Sequence, residues 1–459
     1  MHLRNATSMS AAYAMGQRPD ARELLVVVVK GSFSLDTRSR SIPAQPELAP
    51  VQAPVVLADT FEGEPGFSAT VDESDLSYWK PSCDLIFRGC AHAPLAKPVA
   101  SIDVGLVCGP IDKRFVVTGS RTWQSVGVGV GVVPSLPEPF VRQRFSYSTA
   151  FGGIDKPTED PASHAFFLAN PVGVGYHPAS PREKIIGKPV PNTHAIGETI
   201  AAPSGSYRPM ALGPIGRAWG ARPRLAGTYD QHWLEHVSPF LPADFDERYF
   251  QCSPADQQMP HPKGGEVVQL INLTPAGLTS FLIPSIEVPI EVTDRNAQCH
   301  ELRPVIDTVT VEPELERFSV VWRASMPLRR GMHELRECIV GVMSPAWRRA
   351  RLLGKTYYPS LAALAAATYS DAENRSDWGG DSGEEMDADP VSDAVDDTSP
   401  DEQAKALDGP APEALERLHG TGASHAQADS GPSEPTASHG SEAKPPKPWW
   451  KIDDGRTTP

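Results

Sequence analysis

The chain is 459 residues long, with 42 Lys plus Arg against 57 Asp plus Glu and a formal net charge of −15. Residues 371–459 hold 21 acidic and 7 basic side chains, −14 of that charge, so residues 1–370 carry only −1. Neither part offers the basic face that nucleic acid or anionic lipid requires, and the Leu24–Val29 apolar run is too short to span a membrane.

The first 23 residues lack the continuous apolar stretch of a secretory signal, so the expected location is the cytoplasm. Leu24–Val29, Lys30 and Gly31–Asp36 predict a buried strand passing into an alternating one, with Lys30 at a solvated edge or in an ion pair. Prolines at 43, 46, 50 and 54 predict loop or edge. Cys83–Arg88, Ser101–Cys108 and Lys113–Thr118 predict strands, the last two a hairpin across 109–112 with Asp103 facing solvent. Val126–Val133 alternates valine with glycines 127, 129 and 131. Prolines 134 and 137 follow where a dinucleotide loop needs a helix, so the run predicts a strand with one bare face.

Beyond a long middle stretch, Glu266–Leu273 and Thr279–Ile283 predict a hairpin turning at 274–277. Ile286–Val292, Val305–Val311, Phe318–Arg323 and Cys338–Met343 continue the β pattern. Ser344 predicts the cap of a helix beginning at Pro345, and Leu361–Thr368 is alanine-rich and helix-favouring. From Asp371 the composition is that of a disordered acidic tail, with a brief helix expected over 412–419. Trp449 and Trp450 near its end either fold back or form a short linear motif for a partner. The six cysteines, at 83, 90, 108, 252, 299 and 338, form no CxxC pair, which predicts buried reduced thiols and neither a zinc site nor a disulfide framework.

Residues 145–265 organise the rest. They contain Phe151-Gly152-Gly153, Asn170-Pro171-Val-Gly173-Val-Gly175-Tyr176, Trp219–Pro223, Ala226-Gly227-Thr-Tyr229-Asp230-Gln-His232-Trp233, Asp244-Phe-Asp246-Glu247-Arg248-Tyr-Phe250 and Asp256-Gln257. Paired glycines mark positive φ or close backbone approach, and Pro-flanked aromatics anchor irregular chain to a sheet. The expected architecture is mainly β. Two β-rich sandwich-like lobes, 1–144 and 266–370 with its closing helices, are joined by the ordered central segment 145–265 and followed by the tail 371–459.

This order of motifs, with Ser74-Asp-Leu, Lys80-Pro, Gly89–Pro94 and Gly119–Trp123 upstream, resembles an uncharacterised bacterial family encoded beside VgrG and PAAR spike genes in type VI secretion clusters. The resemblance spans Met1 to Ser344. It implies a non-enzymatic chaperone or adaptor, without cofactor or metal, that binds a toxic effector and helps load it onto a VgrG or PAAR protein.

The sequence holds no Gly-x-Ser-x-Gly, HExxH or Walker loop. The rival reading is a hydrolase using Asp230 with His232 and the Asp244, Asp246 and Glu247 carboxylates. A third is a structural part of the secreted spike. Against catalysis, Asp244 and Asp246 in a Pro-bounded turn should cap backbone amides, with Arg248 paired to a carboxylate and Phe245 buried. Tyr229 and Trp233, four apart, should share a helical face and anchor the turn to the core.

Overall fold

The computed structural model describes residues 1–368 apart from 41–44, 128–130, 356, 359–360, 363 and 366–367. The strands of the three larger sheets begin with β1 (His2–Asn5), β2 (Ser10–Gln17), β3 (Glu23–Ser34), β4 (Cys83–Phe87), β5 (Ser101–Cys108), β6 (Ile111–Thr118) and β7 (Thr193–His194). They continue with β8 (Gln258–Met259), β9 (Val267–Ile271), β10 (Leu278–Leu282), β11 (Ile290–Asp294), β12 (Cys299–Leu302), β13 (Val305–Glu312), β14 (Arg317–Pro327) and β15 (Leu335–Val340). A six-stranded sheet has the order β8-β4-β13-β14-β3-β2, a five-stranded one β7-β6-β5-β9-β10, and a four-stranded one β1-β15-β11-β12. The fold is mainly β, and each of these sheets draws strands from both the early and the late β-rich segment.

The Leu/Val run of β3 is explained by burial on both faces. Leu25, Val27 and Val29 enter the main core with Leu106 and Phe115 of the five-stranded sheet and Ile290 and Cys338 of the four-stranded one. Leu24, Val26 and Val28 enter a second cluster with Val55, Tyr78 and Val321. Lys30 is buried and pairs with Asp75 at 3.0 Å. The β5–β6 and β9–β10 hairpins form as the turn residues predict, and Asp103 is exposed. Proline delays the strand expected from Ile286, which begins only at Ile290, after Pro284 and Pro289.

Two expectations are corrected. Val126–Val133 is not one strand, because Trp123–Ser125 pairs antiparallel with Val132–Pro134 and the chain reverses between them. Gly127 and Gly131 take φ of 60° and 129°, values open to glycine, and a reversal uses that freedom where a strand cannot. Of the six cysteines five are buried, but Cys299, on the edge strand β12, is exposed.

Short helices occupy turns. One is α1 (Gln231–His236); another is α2 (Pro345–Leu352), whose first turn is capped by Ser344 Oγ accepting from the Trp347 amide at 3.2 Å. The described residues of 361–368 are helical. The helix expected over 412–419 and the Trp449/Trp450 pair lie outside the described residues.

Candidate functional site

The motif residues of the central segment separate into three groups. In the first, Phe151-Gly152 bridges Val174-Gly175 in parallel. Phe151 is fully buried, with Phe167 and Tyr207 edge-on at 4.9 and 5.0 Å. Asn170, also fully buried, donates to the carbonyls of Tyr147 and Phe151 at 2.8 and 3.0 Å. Pro171 and Gly173 complete this turn, and Gly152 could not be replaced. Its φ is 150°, and an added Cβ would lie 2.1 Å from the Asn170 carbonyl oxygen.

Beside these glycines lies a group that sequence reasoning missed. Asp155, fully buried, accepts from the Ala179 and Ser180 amides at 2.8 and 3.0 Å and from the Ser180 hydroxyl. His177 Nδ1 stands 3.5 Å from its Oδ1. His177 lines a cavity of about 120 Å³ walled also by Gly152, Gly153, Gly173, Gly175 and Lys188. Burial, and then Lys188, hold the imidazole below its ordinary pKa, so it is neutral at pH 7. The available signal was position, since each lies two residues past a motif glycine, Gly153 or Gly175.

The second group is a buried polar lattice under the six-stranded sheet. Lys80 Nζ donates to Asp84 Oδ2 at 2.9 Å and Thr308 Oγ1 at 3.0 Å. Asp84 also accepts from the Cys252 and Ser253 amides, the Ser253 hydroxyl and Gln251 Nε2 at 2.6–3.1 Å. Burial pushes the Asp84 carboxyl up, but Lys80 and these donors outweigh it and hold it below the usual carboxylate range. Arg323 pairs with Asp307 and donates to the carbonyls of Asp75 and Ser77. Arg222 grips Glu73 bidentately at 2.6 and 2.8 Å and donates to the Tyr249 carbonyl. Gln257 Nε2 donates to the carbonyls of Leu85 and Leu212, and its Oε1 accepts from Lys113. These side chains fasten the irregular segment to the sheet.

The third group is presented outward. Gly227, Tyr229, Asp230, Trp233, Asp244, Asp246, Arg248 and Phe250 meet in one looped unit. Phe250 packs edge-on against Tyr78 at 5.0 Å and, with Leu241, joins the outer face of β3. Above that anchor Tyr229, Leu234 and Phe240 are 41%, 58% and 41% exposed. Trp233 is half-buried, not core as its spacing suggested. Its ring lies edge-on to Tyr229 at 4.7 Å, and its Nε1 donates to the Phe240 carbonyl at 2.9 Å. Phe245 is likewise half-buried, because the unit projects from the sheet.

Three of the four carboxylates proposed for catalysis are engaged with backbone, and the fourth with a side chain. Asp230 caps α1, its Oδ1 accepting from the Trp233 amide at 2.9 Å. Asp244 accepts from Thr228 N and Oγ1 at 2.9 and 2.7 Å. Asp246 accepts from the Arg248 amide and pairs with its guanidinium at 2.5 Å, while Glu247 accepts from the Tyr78 hydroxyl at 3.3 Å. His232 is exposed and stacks on His236 at 4.8 Å.

The architecture is thus a mainly β scaffold with an exposed aromatic loop unit pinned to one face. The chain belongs to the bacterial family described as "Uncharacterized protein conserved in bacteria (DUF2169)", whose model matches residues 20–323. No curated protein and no solved structure matches the chain. Among the described residues no helix is long and apolar enough to cross a membrane.

Proposed function

We propose that this protein is a type VI secretion adaptor that binds a toxic effector in the cytoplasm and assists its loading onto a VgrG or PAAR spike protein. The observation that carries the reading is the aromatic loop unit. Tyr229, Leu234 and Phe240 stand exposed beside half-buried Trp233 and Phe245, in the stretch richest in family-like motifs. Aromatic side chains held by a fixed scaffold are the usual energetic anchors of protein interfaces, since they supply contact area at little entropic cost. The body, near neutral overall, leaves such contacts to apolar and main-chain groups, with little long-range charge steering. The test is co-expression with the toxin encoded nearby. The toxin's soluble level should rise, the two should co-elute, and the toxin's mass should stay unchanged. A toxin that never co-elutes contradicts the reading.

A catalytic reading has one group in its favour, His177 on its glycine-walled cavity with Asp155 behind it at 3.5 Å. It requires the toxin's mass, or a small substrate, to change with this protein and not with its His177→Ala variant.

A further inference from the structure

The six-stranded sheet ends on β2, and among the described residues no strand pairs with its outer side, although the Tyr13 and Ser10 hydroxyls donate to the carbonyls of Met1 and Ala53 at 3.4 and 2.8 Å. On the inner side Ser10–Gln17 pairs residue for residue with Lys30–Glu23, without a register shift. On the outer side no backbone hydrogen bond joins these eight residues to any described residue. The strand reads Ser-Ala-Ala-Tyr-Ala-Met-Gly-Gln, with no charged residue and no proline. Native sheets blunt a free edge with lysine, proline or a bulge, because bare N–H and C=O groups template pairing with another strand. β2 carries none of these devices. Tyr13 and Met15 on it are 39% and 59% exposed. The strand lies outside the family match, which begins at residue 20.

We propose that β2 is a homodimerisation edge, at which the β2 strands of two copies pair antiparallel about a two-fold axis perpendicular to the sheet and centred on Tyr13. The two six-stranded sheets then become one continuous sheet. Such an axis keeps each side chain on its own face, so only residues of one face meet directly. Centring on Tyr13 sets Tyr13 against its own copy, Met15 against the partner's Ala11, Ala12 against the partner's Ala14, and Ser10 against the partner's Gly16. The large Met15 therefore meets a small residue, the tyrosine rings face each other, and no charges oppose. A second copy is self-complementary at every position, as an isologous interface must be, which is why it is favoured over a client strand. The paired edge uses none of the exposed residues of the aromatic unit, although Ala12 packs against the same cluster as Leu241 and Phe250.

The test is light scattering on the eluting full-length protein over a concentration series. The expected mass is twice the 49.5 kDa of one chain, falling to one chain in a Tyr13→Lys/Met15→Lys variant that still co-elutes with the toxin if the adaptor reading also holds. The register is read separately, in a Cys299→Ser background that removes the exposed thiol. Mild oxidation should link Tyr13→Cys into a covalent dimer, whereas Met15→Cys should stay unlinked, because a strand rises about 3.3 Å per residue and the two copies of position 15 are four residues out of register. A wild-type monomer at every concentration, a dimer unaffected by the lysines, or equal linking of both cysteine variants overturns the proposal.

Discussion

The buried lattice around Lys80 and Asp84 and the aromatic unit over 226–250 are neighbours in sequence and opposites in physics. Cys252 and Ser253, two and three residues past Phe250, give their amides to a carboxylate with no solvent exposure. Tyr229 and Phe240, on the same loop, keep two fifths of their surface in water. The first region spends its polar groups on one another and tolerates little change. The second is anchored by Arg222 and Phe250 and leaves its outer rings unmatched. A loop this irregular can hold rings steady in water only because its base is tied down by many short bonds.

The largest effect should follow from breaking the lattice. Lys80→Met leaves Asp84 buried without its ammonium partner, and denaturant unfolding should show a loss of about 3–5 kcal/mol. The same carboxyl sets an acid limit. Because its folded pKa is depressed, its contribution is fully present above the unfolded value, about 3.9, and is lost as pH falls through the lower folded value. Melts should therefore fall below about pH 4, and less steeply in Asp84→Asn. A variant as acid-sensitive as wild type would remove Asp84 from the account.

The aromatic unit should respond more mildly in stability and more sharply in binding. Trp233→Ala removes a half-exposed ring and should cost about 1–2 kcal/mol, below the 3–5 typical of a fully buried one. A loss in the full range would mean that Trp233 is core. Smallest of all, Asp246→Ala deletes a cap and should cost about 0.5–1 kcal/mol. Toxin binding should be unchanged by it, since the carboxylate faces its own backbone and Arg248.

How legible these regions were differs for physical reasons. The β3 run, the two hairpins and the Ser344 cap were readable because each is a local pattern of apolar spacing or turn chemistry. The strands β1 and β2 were not, since Ser-Ala-Ala-Tyr-Ala-Met has little of the branched character that marks a strand. The lattice was legible only as motifs. Lys80 and Thr308 meet across 228 positions because β13 runs parallel to β4, and no local rule predicts that pairing. The capping role of Asp246 followed from its turn chemistry, whereas Asp244 accepts from Thr228, 16 residues away, a pairing no local rule predicts. The half-exposure of Trp233 did not, because i, i+4 spacing says which rings share a face and not which way the face looks.

The central claim is that the aromatic unit is the client surface of a non-catalytic adaptor. The most direct measurement is co-elution of the co-expressed toxin with wild type and with a Tyr229→Ser/Leu234→Ser/Phe240→Ser variant, whose three changes are all at exposed positions. The account predicts that the variant melts within a few degrees of wild type yet elutes without the toxin. A folded variant that retains the toxin would contradict it.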